Sequence, residues 1–123
     1  MSRNTLKFHQ LNCHKRNLSN EFLNHHNTEL KNGIFVGLCQ EPGHDKGKIK
    51  DFDRSLKIFQ GCKVNPRACI VISKSVNSIM LNQYCDQDQV VIQITDGNRI
   101  IILASIYMPY DSIDPPPLLL QKA

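Results

Sequence analysis

Two runs in this sequence, Ile34-Phe35-Val36-Gly37-Leu38-Cys39 and Ala68-Cys69-Ile70-Val71-Ile72-Ser73, are apolar throughout but for the closing Ser73, and only six residues long. Runs this short and this rich in β-branched residues read as strands rather than helices. A strand with no polar face must be covered on both sides, so the fold needs layers above and below it. Frequent runs of this kind argue against disorder over the whole length. The 123 residues limit the chain to one domain or part of one. The hydrophobic fraction of 41% and charged fraction of 21% fit a globular protein.

The segments around these runs give a coarse order. Leu6 to Asn12 alternates as a strand does, with Leu6, Phe8, Gln10 and Asn12 on one face. Asn17 to Leu30 places Leu18, Phe22, Leu23, His26 and Leu30 on a broad helical stripe, and Gly33 suits the cap that follows. Strand, helix and buried strand in succession predict a crossover unit with the two strands parallel. His44 to Ser55 is polar and of mixed charge, and reads as a surface loop. Ser78 to Tyr84 is a further predicted strand. Gln89 to Thr95 and Arg99 to Tyr107 flank Asp96-Gly97-Asn98, the strongest hairpin signal in the chain. Pro115-Pro116-Pro117 is stiff and extended, and Leu118-Leu119-Leu120 reads as the opening of an amphipathic helix.

Composition narrows the function classes. No apolar stretch approaches the ~20 residues needed to cross a bilayer, and residues 1–5 lack the apolar core of a secretory signal. The five cysteines form no C-x-x-C pair, and Cys39, Cys69 and Cys85 sit in or beside apolar runs. They read as small buried hydrophobes rather than a disulfide or zinc framework, which predicts a reducing, intracellular compartment. Charge is uneven: residues 1–67 carry 12 Lys/Arg against 6 Asp/Glu, and residues 68–123 carry 3 against 5. The basic half would favour an anionic partner such as DNA, while the same charges also suit a solvated loop.

Three polar residues stand at ends of predicted apolar strands: Asn12, Glu41 and Tyr107. Each alone has a purely structural reading. Asn12 could turn the chain, Glu41 could be a solvated strand end, and Tyr107 could be core with its hydroxyl bonded to backbone. Their order and context carry more. Gln10-Leu11-Asn12, Gln40-Glu41-Pro42 and Tyr107-Met108-Pro109 close three strands in turn. This series resembles the endonuclease/exonuclease/phosphatase superfamily, and most nearly the endonuclease domain of jockey-type non-LTR retrotransposons. The likeness runs from Leu6 to about Gln121 and covers about the first half of that family's domain.

The resemblance implies an α/β fold, a partial two-sheet β-sandwich with outer helices, in which residues 1–123 are the N-terminal portion of a single domain. It implies that Glu41 is the carboxylate ligand of a Mg²⁺ or Mn²⁺ ion. Asn12 would sit beside the metal and the scissile phosphate, and Tyr107 would donate a hydrogen bond to that phosphate. The implied reaction is phosphodiester hydrolysis that nicks DNA. In an intact element, expected in the nucleus, a reverse transcriptase domain would be the partner and no membrane would be involved.

The sequence also departs from that pattern. The family's later Asp-x-Asn and Ser-Asp-His segments have no counterpart: the acids after Tyr107 are Asp111 and Asp114, and no histidine follows His44. His14 lies near the expected site, but an imidazole without an orienting partner is weak evidence for a general base. The expectation is therefore a fragment with little or no nuclease activity of its own, with exposed strand faces that favour aggregation or a partner. The competing expectations are a non-catalytic nucleic-acid-binding or interaction remnant of the same scaffold, and an unrelated αβ protein in which three motifs coincide by chance.

Overall fold

The computed structural model describes residues 6–17, 34–50 and 55–108. These form seven strands: β1 (Leu6–Asn12), β2 (Ile34–Gln40), β3 (Leu56–Gln60), β4 (Ala68–Ser73), β5 (Asn77–Met80), β6 (Gln89–Asp96) and β7 (Arg99–Ile106). One sheet has the order β1-β2-β4-β3 and the other the order β5-β6-β7. β1 and β2 are parallel, with Asn12 opposite Gln40, as the crossover reading requires. The other pairs are antiparallel.

The β2 and β4 runs are buried on both faces because the first sheet is covered on both. Phe35, Cys39, Cys69 and Val71 pack on one side with Cys13, Ile49 and Leu56. Val36, Ile70 and Ile72 alternate to the other side, where they meet Val90, Ile92 and Ile94 of the second sheet. All six residues of β4 are buried. Burial of apolar surface stabilises by about 25 cal/mol per Å², so this interlayer cluster helps hold the two sheets together. Two serines serve the layers. Phe35 N–H donates to Ser73 Oγ at 2.8 Å within the first sheet, and Ser105 Oγ donates to Cys39 O at 2.8 Å between the sheets.

Several expectations need adjusting. Ser78 to Tyr84 is not one strand: pairing ends at Met80, opposite Ile92, and Asn82–Tyr84 winds into a 3-10 turn with Tyr84 N–H bonded to Leu81 O at 2.9 Å. β3 follows directly on the loop read over His44 to Ser55, in a stretch given no element from sequence, and forms an edge strand beside β4. The helices expected over Asn17 to Leu30 and from Leu118 onward lie, but for Asn17, outside the described residues; among those described there is no α-helix. All five cysteines are free, and Cys13, Cys39 and Cys69 are buried. Cys85 is only partly so. Burial raises the Cys39 thiol well above its ordinary value, with the Cys13 and Cys69 thiols adding to the effect. Among the described residues, β7 is an edge, and Ile79, Ile100 and Ile102 of the second sheet are more than half exposed.

Candidate functional site

Period-two alternation along β7 places Ile101, Leu103, Ser105 and Tyr107 on the face toward the first sheet. Ile101, Leu103 and Tyr107 pack against the interlayer core, and Ser105 reaches Cys39 O. Tyr107 therefore leaves the sandwich at its rim, facing the end of β2. Its backbone N–H is fixed to Asp88 O at 2.8 Å.

Glu41 follows β2 and reaches the same rim by another route. Alternation alone would send it to the side of Phe35 and Cys39. Instead its φ of 51° places it in the left-handed region, which non-glycine residues seldom adopt. Backbone bonds hold it there: Glu41 N–H donates to Arg67 O at 2.9 Å, and Lys15 N–H donates to Glu41 O at 2.7 Å. Strain of this kind persists only where surrounding structure enforces it. The Tyr107 phenol is raised above its ordinary value by desolvation first, then by the nearby Glu41 carboxylate, with Arg67 acting in the opposite direction.

Asn12 ends β1 beside Gln40 and shares its face of the sheet. Its side-chain Oδ1 accepts the His14 N–H at 2.9 Å, a local turn around His14 (φ 51°) and Lys15 (φ 64°). That bond is the turn-forming role noted from sequence; a carbonyl oxygen keeps a second lone pair for another partner. Glu41 and Tyr107 line one cleft of about 340 Å³, with Lys15, Pro42, Gly43, His44, Asn65, Pro66 and Arg67. Asn12 stands at the adjacent strand end and does not line it.

Sequence reading missed the residue that joins the two sheets here. Arg67 precedes β4, and its guanidinium forks onto the Asp88 carboxylate, Nε to Oδ1 and Nη2 to Oδ2, the latter at 2.8 Å. Its Cζ stands 5.1 Å from the centre of the Tyr107 ring, within cation–π range. Its backbone N–H donates to Gln87 O at 2.8 Å. One residue thus touches Glu41 through its carbonyl, Tyr107 through its charge, and β6 through Asp88. The only signal in the sequence was opposite charges just before two strands.

The donors at this rim are hard oxygens: a Glu41 carboxylate and an Asn12 amide. No group of three or more His, Cys, Asp or Glu side chains that could hold a metal occurs among the described residues. The set does not suit zinc. It does suit Mg²⁺ or Mn²⁺, which take oxygen ligands and keep several waters beside one or two protein groups.

No protein-family model and no curated protein matches the chain. Among solved structures, it is similar to the endonuclease domain of TRAS1, a telomere-specific non-LTR retrotransposon. The TM-score is 0.63 at 21% identity, over 84% of this chain and 44% of the other. The chain thus has an endonuclease-like fold and spans less than half the length of the domain it resembles.

Proposed function

We propose that this rim is half of a metal-dependent phosphodiesterase centre of the DNA-nicking kind. The observation that carries the reading is the meeting of Glu41 and Tyr107, 66 positions apart, in one cleft beside the Asn12 strand end. Glu41 and Asn12 would hold the divalent ion, which when bound supplies Lewis-acid polarisation of a phosphoryl oxygen. Tyr107, its phenol held protonated, donates a hydrogen bond toward the phosphate where negative charge grows. Arg67 keeps the ring in place. The exposed Lys15, Arg16, Lys46, Lys48 and Lys63 surround the site and offer cations to the backbone of a nucleic acid.

Among the described residues at this rim none is set up to activate water, and the reading expects the chain to bind a strand better than it cuts one. A second reading, a nucleic-acid-binding remnant without chemistry, is favoured by that same lack of a base. Plasmid nicking in Mg²⁺ beside a Glu41→Ala control separates the two only together with Mn²⁺ binding. The proposal expects background nicking with Mn²⁺ binding that the substitution abolishes. Mn²⁺ binding that survives Glu41→Ala supports the remnant, and robust Glu41-dependent nicking refutes the half-centre.

A further inference from the structure

His44 lines the cleft from the segment between β2 and β3. Its hydrogen bonds fix what the ring can do. Gly47 N–H donates to Nδ1 at 3.0 Å, so that nitrogen is an acceptor and the ring proton resides on Nε2. Nε2 then donates to Asn65 Oδ1 at 3.0 Å. With both nitrogens engaged, the ring is neither a free base nor a metal ligand. The ring lines the cleft, and the residue is exposed.

The ring is also held still. The turn carrying it closes through paired Asp45 and Lys48 backbone bonds of 2.9 and 3.0 Å. The Gln60 side chain pins it, with Nε2 donating to Gly47 O at 2.6 Å and Oε1 accepting Ile49 N–H at 3.1 Å. Gly47 has a φ of 86°, and a side chain there would meet Lys63 O at 1.6 Å, so the two loops lie in backbone contact. Asn65, left-handed at φ 42°, is anchored in turn through its carbonyl, which accepts Gln87 Nε2 at 3.0 Å. An exposed aromatic ring immobilised by this many bonds has paid its ordering cost before any ligand arrives.

We propose that the His44 imidazole is a stacking platform for one nucleobase of the strand lying in the cleft. This rests on the nucleic-acid reading of the site above. Every base has a π-face, so such a platform accepts any sequence while rejecting ligands that lack a ring, such as inorganic phosphate. It fixes the position of a strand across the acid rather than merely attracting phosphate.

The test uses the 123-residue chain in EDTA at low salt and a short single strand with one 2-aminopurine flanked by abasic spacers. Wild type should bind and quench the fluorophore. His44→Gln can keep both hydrogen bonds without the ring; it should lose the quench and weaken binding at least about fivefold, the low end for base–aromatic stacking. His44→Phe keeps a ring without the nitrogens and should retain at least half the quench. Circular dichroism confirms that each variant is folded. Wild-type quenching by His44→Gln overturns the platform and leaves the nucleic-acid reading standing. Loss of quench in both folded variants returns the effect to the hydrogen-bonded latch and also overturns it. Failure of the wild-type chain to bind any strand sinks the reading beneath it.

Discussion

Replacing Arg67 by alanine should cost the protein about 2 kcal/mol. The Arg67–Asp88 fork makes two charge-assisted hydrogen bonds between side chains that are 34% and 20% exposed. A hydrogen bond to a charged group contributes roughly 1.5–3 kcal/mol. Exposure near a third screens the pair and lowers the sum. Truncation also leaves Asp88 partly buried and unpaired, which adds to the loss. About 2 kcal/mol is the balance, or roughly 5–10 °C in Tm for a chain of this size. The assay is a double-mutant cycle, with Arg67→Ala, Asp88→Asn and the pair measured by urea unfolding. The two side chains touch, so the cycle should show a coupling energy of about 1–2 kcal/mol. Additivity within about 0.3 kcal/mol would refute the clamp and with it the account of how Tyr107 is held against the first sheet.

Three further outcomes are expected. Gly47→Ala would set a methyl carbon 1.6 Å from Lys63 O, forcing the two loops apart, and adds a side chain at φ 86°; the strained backbone alone costs about 1–3 kcal/mol, so a variant as stable as wild type in urea contradicts the loop contact. Ser105→Ala removes the bond to Cys39 O between the sheets and should destabilise by about 1–2 kcal/mol, read as a lower urea midpoint with an unchanged slope. Ile100→Thr with Ile102→Thr takes two exposed isoleucines off an edge strand; light scattering on warming should fall, and unchanged scattering would show that this edge does not drive association.

The readings that came through from sequence rest on strictly local physics. The Asp96-Gly97-Asn98 hairpin is a two-residue loop closed by Asp96 opposite Arg99, with Gly97 at φ 61° where glycine has no steric cost. The β2 and β4 runs are apolar up to their closing Gln40 and Ser73 and are buried on both sides. β3 was hidden because Lys57 interrupts its apolar residues and charged segments precede it. In the structure Lys57 Nζ reaches Val76 O at 3.4 Å and lies 5.6 Å from the Phe59 ring centre, so its stem covers apolar surface while its charge stays at the edge. At the site, Glu41 and Tyr107 were legible as polar ends of apolar strands. The left-handed turn that brings Glu41 to Tyr107 was not, since a glutamate gives no local signal for positive φ. Arg67, Asp88 and His44 belong to no motif, and Arg67 and Asp88 meet only when the sheets stack.

The central claim is that Asn12 and Glu41 hold one cation at the rim where Tyr107 also stands. Mn²⁺ titrated into the isotope-labelled chain tests it through paramagnetic broadening of backbone amide signals. The account predicts selective loss at Asn12, Glu41 and Tyr107, with Gly97 and Asn98 unaffected, because the length of β7 sets them about 25 Å away. Glu41→Ala should restore the lost signals. Broadening centred elsewhere, or unchanged by that substitution, would contradict it.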